Sequence, residues 1–458
     1  MMSNWYPRLL RSTIYPFSQR ILERDFSRMM AEAEQNQFKS RDEIQAIQFR
    51  KLTNLIGHAY STVPYYREEF TSRGIHPADI RSWDDYHQLP ILKRERYQET
   101  PKKFLSSKPR TTSEMMRSSG SSGRPTIFYL SQTLNAAANV SRIRALKWWG
   151  IHLGDREVRI WGDMSMLAPG FWNPRKRRLK RFFHDRVLNR RTYSANQMSD
   201  FRMEKTWGSI QRFTPKYIFG YASNIYQLAR FIDKRGYDGR TLGLKIAVIS
   251  AEMLYDPQVE FIQDVLGCPV VNEYGATETG VIAYSHPCGE NHIMEDFIIF
   301  EIVKSDPADE FGKVVITSLE NWSCPLIRYD LQDLVIPWKS ENPCSLGLGL
   351  GRFKSLYGRQ YDLIVLPGGK IVHGHVFSNL IFYAKCVRQF QVIQKEPDLI
   401  EISLETVNNE LPEADENFLR DKIRKNLGPV RVEIKLVAEI PREDSGKYRF
   451  VQSRVSAR

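Results

Sequence analysis

Along this chain the apolar residues change their period several times, and the changes mark its elements. Between residues 40 and 72, Ile44, Ile47, Leu52, Leu55 and Ile56 recur at roughly helical spacing and predict a helix. "EVRIWGD" (157–163) reads as a strand, and "NIYQLARFIDKRG" (224–236) as a helix stopped by Gly236. "KIAVISAE" (245–252) reads as a buried strand, "PQVEFIQDVLG" (257–267) as a helix, and "PVVNEYG" (269–275) as a further strand. Strand alternating with helix predicts a layered α/β domain. From about Gly358 the texture changes. "DLIVLPGG" and "KIVHG" read as a hairpin, followed by the strand "LIEISLET", the helix "ENFLRDKIRKNLG" and the strand "RVEIKLVAEI". That is a compact α+β unit. The expected architecture is α/β, with a large multi-layer N-terminal domain over 1–357 and a small C-terminal domain over 358–458. The chain shows no internal repeat and no long low-complexity linker.

Composition narrows this picture. Of 458 residues, 42% are apolar and 12% aromatic, enough to fill a core and to argue against wholesale disorder. No uninterrupted apolar run reaches membrane-spanning length, and "MMSNWYPRLLRSTIYPFSQRI" lacks the compact apolar centre of a signal peptide. Five cysteines (Cys268, Cys288, Cys324, Cys344, Cys386) are too few for a disulfide framework and suit a reducing compartment, so a cytoplasmic location is expected.

The net charge of +13 is uneven. Nine basic residues lie between Arg175 and Arg191 against one acid, Asp185. Such a block can meet nucleic acid, anionic lipid or a phosphorylated substrate, and it can equally be a solvated basic helix. In residues 1–30, Arg8, Arg11, Arg20, Arg24 and Arg28 alternate with Trp5, Leu9, Leu10, Ile14, Phe17, Ile21 and Leu22. That mix either packs on its own domain or lies on an anionic membrane surface. A peripheral membrane contact is therefore one expectation, while a nucleic-acid partner is not expected.

The candidate chemistry begins at "RSSGSSGRPTIFYLS" (117–131), where six Ser and Gly residues precede a β-prone run. Glycine lets a backbone approach a ligand closely, and successive N–H groups can cradle an anion. The plain alternative is an ordinary turn. The spacing is too short for a Walker loop, and no Gly-Lys-Ser/Thr follows. Four further stretches stand at loop-like positions: "NEYGATETG" (272–280), "PLIRYDLQDL" (325–334), "YGRQYDLIVLPGG" (357–369) and "IPREDSGKYRF" (440–450).

Each stretch is weak alone. In this order they resemble the core motifs of the adenylate-forming superfamily, which includes acyl- and aryl-CoA ligases, peptide-synthetase adenylation domains and luciferases. The phenylacetate-CoA ligase branch, with its CapK-like members, is the nearest in pattern. "HAYSTVPYYREEF" (58–70), "LPILKRERYQE" (89–99) and "FTPKYIFGYASNIYQLARFI" (213–232) match that branch, so the resemblance runs from about residue 40 to about 450. It implies a large N-terminal α/β domain and a small, mobile C-terminal lid.

The resemblance also implies roles. Ser118, Ser119, Gly120, Ser121, Ser122 and Gly123 would close on the β,γ-phosphates of ATP, with Arg124 where relatives commonly carry Lys. Tyr274 would stack on the adenine, with Gly275 beside it among the nucleotide-binding residues, and Ala251 and Glu252 in "SAEML" (250–254) would belong to the neighbouring adenine-side loop. Thr277 would contact the α-phosphate, and Glu278 holds the magnesium-linked position. "RYDLQDL" departs from the usual Tyr-Arg-Thr-Gly-Asp, which leaves Asp333 as the ribose ligand with Asp330 as a competitor. Arg359 would face the ribose or phosphates, and Lys447 would be the lid lysine that reaches the carboxylate and α-phosphate.

Some members of the branch carry a Cys/His zinc site near "SHPCGENHIMED" (285–296), which offers His286, Cys288 and His292. In this chain the later cysteine pair is broken, with Cys344 alone in "NPCSLGLGLGR". A closed zinc site wants four ligands. Cys288, His292 and Cys344 are therefore candidate zinc ligands with the fourth unassigned, against a reading as buried cysteines. His373 and His375 alternate and would share one face of a strand, in packing or in contact with substrate.

The expected activity is formation of an acyl-adenylate from a carboxylic acid and ATP with release of pyrophosphate, then acyl transfer, by default to coenzyme A. The alternative acceptor is an amine or amino-sugar, which would make the chain an amide ligase. A non-catalytic membrane- or polyanion-binding scaffold is the rival from another class, and it would need neither Lys447 nor Glu278. Magnesium is expected beside ATP.

Overall fold

The computed structural model describes residues 5–22, 25–117, 126–162, 182–196, 198–339, 343–360, 363–368, 371–381, 384, 386–441, 448 and 450–455. These fall into two compact units. The first comprises Met1–Glu157, Leu167–Arg191 and Val271–Ser355; the second comprises Val158–Met166, Thr192–Val270 and Leu356–Arg458.

In the first unit, Ser40 opens the helix Arg41–Thr62 with a capping box: its hydroxyl accepts from the Glu43 N–H, and the Glu43 carboxylate accepts from the Ser40 N–H. The single helix expected over 40–72 is two helices. Val63 turns to an extended conformation and Pro64 starts the helix Pro64–Ser72, because proline disfavours a helical residue before it yet fits a first helical turn. Among the described residues, strands lying wholly or mostly in this unit, or starting in it as Arg352–Arg359 does, have the order Ile298–Val303, Gly312–Ser318, Tyr329–Pro337, Arg352–Arg359, Asn291–Ile293, Gly280–Ser285 and Val270–Ala276. The strands Ser113–Arg117 and Ile127–Ser131 pair antiparallel, with Arg117 opposite Ile127, so the Ser/Gly loop joins two paired strands. Ser118, Ser119, Gly120, Ser121, Ser122, Gly123 and Arg124 lie outside the described residues.

The second unit has strands in the order Ile246–Ser250, Tyr217–Gly220, Glu157–Trp161 and Arg190–Ser194, the first two parallel. The helix Ala222–Lys234 follows the strand Tyr217–Gly220, and Gly236 at φ +67° ends that stretch as the sequence predicts. A further sheet carries Arg431–Leu436, Leu399–Thr406, Val387–Glu396 and Val451–Ser453, in that order, with the helix Glu413–Leu427 connecting two of its strands. Ile225, Leu228, Ile249 and Ile262 share one buried cluster with Phe390, Ile402, Ile423 and Phe450. The architecture is mixed α/β, with an α+β portion toward the C-terminus.

Candidate active site

The hairpin Val270–Ala276/Gly280–Ser285 organises the first unit's polar residues. Tyr274 faces Ala283, and the register shifts between Tyr274 and Gly275. Two glycines make the turn feasible. A Cβ on Gly275 would stand 2.6 Å from the Gly280 carbonyl oxygen, and Gly280 sits at φ +75° with Ala138 Cβ 2.8 Å from any added Cβ. Neighbouring side chains on the strand have separate partners, as strand alternation dictates. Glu273 takes a fork from Arg142 on the helix Gln132–Trp148, at 2.6 Å to each oxygen. Tyr274 donates its hydroxyl to Asp333 Oδ2 at 2.8 Å. Asp330, the competing acid, accepts the Gln332 N–H at 2.7 Å, with Gln332 at φ +62°. The structure thus joins Tyr274 to Asp333 and turns Asp330 toward its own backbone.

Thr277 and Glu278 occupy the hairpin turn. Glu278 is 3% exposed, and its Oε1 accepts from Arg94 Nη1 at 3.0 Å. The Arg94 guanidinium lies over the Phe128 ring, 5.7 Å from its centroid, and reaches toward Thr126 and the Tyr329 hydroxyl at 3.4 Å each. Burial and the Glu278 charge hold the Tyr329 hydroxyl well above the usual phenol range. A buried carboxylate needs such a partner, since an unpaired charge there is costly. Arg94 is a residue that the sequence reading missed. Its signal was the three-residue spacing to Tyr97, a fully buried side chain, which turns both residues inward on one helical face.

In the second unit the strand Ile246–Ser250 ends at Ala251, a non-glycine residue at φ +68°. Such a conformation costs energy and marks a fixed local geometry. Next to it, Glu252 Oε2 accepts the Ser223 N–H at 2.8 Å, while Oε1 accepts the Ser223 hydroxyl at 3.1 Å and the Tyr448 N–H at 3.2 Å. Gln227 Nε2 lies 3.3 Å from the Tyr448 hydroxyl. Burial, then the Glu252 charge, raises the Tyr221 hydroxyl above its ordinary value. Glu252 therefore grips the segment next to Lys447 as well as the start of a helix. Lys447 itself lies outside the described residues. Arg359 closes the strand Arg352–Arg359.

A second cluster gathers at the far end of the same hairpin. One donor atom each from His286, Cys288, His292 and Cys344 lies within 4.8 Å of all the others. Cys288 Sγ is 2.9 Å from His286 Nδ1, 3.6 Å from His292 Nε2 and 3.6 Å from Cys344 Sγ. A tetrahedral zinc with ordinary bond lengths sets its donors roughly 3.4–3.8 Å apart; the contacts of Cys288 to His292 and Cys344 match that spacing, the contact to His286 is shorter, and the donors form a Cys2His2 set. His286 completes a set of four candidate donors, the fourth having been left unassigned by the sequence. Cys324 is elsewhere, buried 3.6 Å from the Tyr97 hydroxyl. Burial pushes the Cys288 thiol up to about 12 and the His292 imidazole down to about 4. Glu290 stands at the edge of the cluster, held by Arg352 at 2.7 Å.

Comparison with known proteins bears on all of this. The family profile for the CapK C-terminal domain matches residues 364–454. The chain is 26% identical to a phenylacetate-coenzyme A ligase of Thermus thermophilus over 444 residues, 90% of this chain and 96% of that protein. It is 24% identical to Protein CapK of Staphylococcus aureus, over 80% of this chain and 79% of that one. Among solved structures, 2-hydroxyisobutyryl-CoA ligase in the postadenylation state, in complex with 2-HIB-AMP, superposes with a TM-score of 0.73 at 18% identity, covering 92% of this chain and 91% of that one. The fold is that of an adenylate-forming ligase.

On this adenylate-forming fold, the described candidates divide between the two compact units. Tyr274, Gly275, Thr277, Glu278 and Asp333 belong to the first, on one hairpin and the strand Tyr329–Pro337. Ala251, Glu252 and Arg359 belong to the second. His373 ends a short strand and His375 begins a helix, so they do not share the single strand that the sequence suggested.

Proposed function

We propose that this chain is an AMP-forming acid ligase, which joins a carboxylic acid to ATP as an acyl-adenylate, releases pyrophosphate and passes the acyl group to coenzyme A. The observation that carries the reading is the hairpin that presents Tyr274 hydrogen-bonded to Asp333 and Glu278 paired with Arg94, in a chain similar over 90% of its length to a phenylacetate-coenzyme A ligase. Asp333 is the ribose acceptor, with Tyr274 bordering the adenine. Ala251 and Glu252 flank the base from their own loop, and Arg359 serves the ribose or phosphates. The Ser118–Gly123 loop with Arg124 cradles the leaving pyrophosphate.

A carboxylate attacking the α-phosphorus brings negative charges together, and cationic groups must offset them. Lys447 supplies one from a mobile lid spanning 358–458, and Thr277 donates to the α-phosphate. Glu278 is the residue that would hold magnesium, which shields phosphate charge. Arg94 partners and orients the Glu278 carboxylate in its buried setting. Zinc, held by His286, Cys288, His292 and Cys344, would be structural, tying the loop that carries Cys344 to the turn after the strand Gly280–Ser285.

The second reading is an ATP-dependent amide ligase acting on an amine or amino-sugar, which shares the first half-reaction and differs in the acceptor. Pyrophosphate exchange with a library of acids tests the first half-reaction. Mass spectrometry of products with coenzyme A and with amines separates the acceptors. No exchange with any acid sinks both readings.

A further inference from the structure

Residues 5–22 form a helical run: Trp5–Leu9, a wider turn over Leu10–Ile14, then Tyr15–Ile21. Its inner side is fully used. Leu10 and Tyr15 are buried in a cluster with Phe26, Met30, Val140 and Leu188. Contact with the body is close, since a Cβ on Gly154 would meet Leu10 Cδ2 at 2.9 Å and Pro7 Cα at 3.3 Å. Tyr6 donates its hydroxyl to the Val187 carbonyl at 2.7 Å, which ties the run to the helical turn 182–187.

The outer side is apolar too. Trp5 is 60% exposed, Phe17 65% and Ile21 68%, and on the neighbouring turn Phe182 is 53% and Phe183 59% exposed. Trp5 and Leu9, like Phe17 and Ile21, are one helical turn apart. A segment that served only its own domain would carry polar residues there. The charges among these side chains are mostly positive. Residues 5–22 hold Arg8, Arg11 and Arg20 and no acid, and Arg186 lies beside the Phe182 ring. Asp185, the acid on the second turn, faces Arg190 at 3.7 Å.

We propose that this face docks the protein peripherally on an anionic lipid surface, with the aromatic and aliphatic side chains entering the headgroup boundary and the arginines meeting lipid phosphates. Close packing on the inside, large apolar side chains outside and an excess of cations are together the features of an interfacial helix. Among the described residues no helix is long and apolar enough to cross a membrane, which fits a surface-bound mode. The inference is independent of the acyl acceptor.

The test is co-sedimentation of the full-length protein with phosphatidylcholine vesicles, with and without one-third phosphatidylglycerol. Partitioning should be at least about tenfold stronger on the anionic vesicles, and should weaken as salt rises from about 0.1 M to about 1 M, where screening shortens from about 10 Å to about 3 Å. The pair Phe17→Ser/Ile21→Ser and the pair Arg8→Ser/Arg20→Ser should each lower it about tenfold, with melting temperature and pyrophosphate exchange unchanged. Equal binding to both vesicles, no binding to either, or wild-type partitioning of the Phe17→Ser/Ile21→Ser pair overturns the proposal. Salt-sensitive heparin binding in place of vesicle binding overturns it in favour of a soluble polyanion.

Discussion

One strand of six residues, Gly280–Ser285, has the Glu278 turn at its start and His286 just past its end, and the two ends solve burial in opposite ways. At about 3.3 Å per residue they are about 20 Å apart. At the first end, each acid has a named donor: Arg94 for Glu278 and the Tyr274 hydroxyl for Asp333. Each carboxylate is held in a fixed orientation, which suits the phosphate and ribose contacts proposed for it. At the second end, two thiols and two imidazoles meet with burial holding Cys288 and His292 in their neutral forms. Such a set gains little from mutual contact and much from a divalent ion. Paired charges suit the ligand-handling role proposed for the first end, and clustered thiols and imidazoles suit the structural metal site proposed for the second.

The largest effect should come from breaking the ion pair. Arg94→Met leaves the Glu278 carboxylate buried without its partner and should cost about 3–5 kcal/mol of stability, read by denaturant unfolding. Arg94→Met/Glu278→Gln should recover most of that stability without recovering pyrophosphate exchange. If the single variant unfolds like wild type, the pair is not the support described here.

Next is Lys447→Ala. The loss of a cation facing developing charge should slow pyrophosphate exchange at least about a hundredfold, or about 2.7 kcal/mol. Consumption of a supplied acyl-adenylate with its acceptor should continue. Wild-type exchange would mean that "EDSGKYRF" is wrongly assigned.

At the other end of the strand, the purified protein should hold about one equivalent of zinc. Chelation or Cys344→Ser should lower stability by about 2 kcal/mol, seen as a drop in melting temperature, with exchange activity kept at low temperature. A metal-free protein of unchanged stability would make the cluster an ordinary core.

The smallest effect is assigned to Glu252→Gln. It weakens the grip on the Ser223 and Tyr448 N–H groups and should lower exchange about tenfold, roughly 1.4 kcal/mol. Thioester formation from supplied adenylate should be nearly unaffected, which separates positioning from general damage. Equal loss in both half-reactions would remove Glu252 from a positioning role.

Much of the fold was legible because periodicity is a local property. Gly236 stops a helix, "KIAVISAE" forms the buried strand Ile246–Ser250, and "LIEISLET" forms the strand Leu399–Thr406. The single helix expected over 40–72 was split because Pro64 acts on the backbone of its neighbour, a local rule that hydrophobic spacing does not register. Within the site, the altered motif pointed to Asp333 with Asp330 as a competitor, and the two acids have different partners. Two residues are enough to redirect an acid: Asp330 bonds the Gln332 N–H while Asp333 meets Tyr274.

The amino-acid sequence by itself determined the elements, the glycines that permit the Gly275–Gly280 hairpin, and the excess of cations and aromatics near the N-terminus. Each follows from residues close together in the chain. Tertiary structure decided the partnerships. Glu278 meets Arg94 across 184 positions of sequence, Tyr448 meets Glu252 across 196, and Cys344 meets Cys288 across 56. At such separations no spacing rule says which cation, carboxylate or thiol will arrive. Burial makes an unpaired polar group costly, so the packed chain selects the partners that satisfy one another.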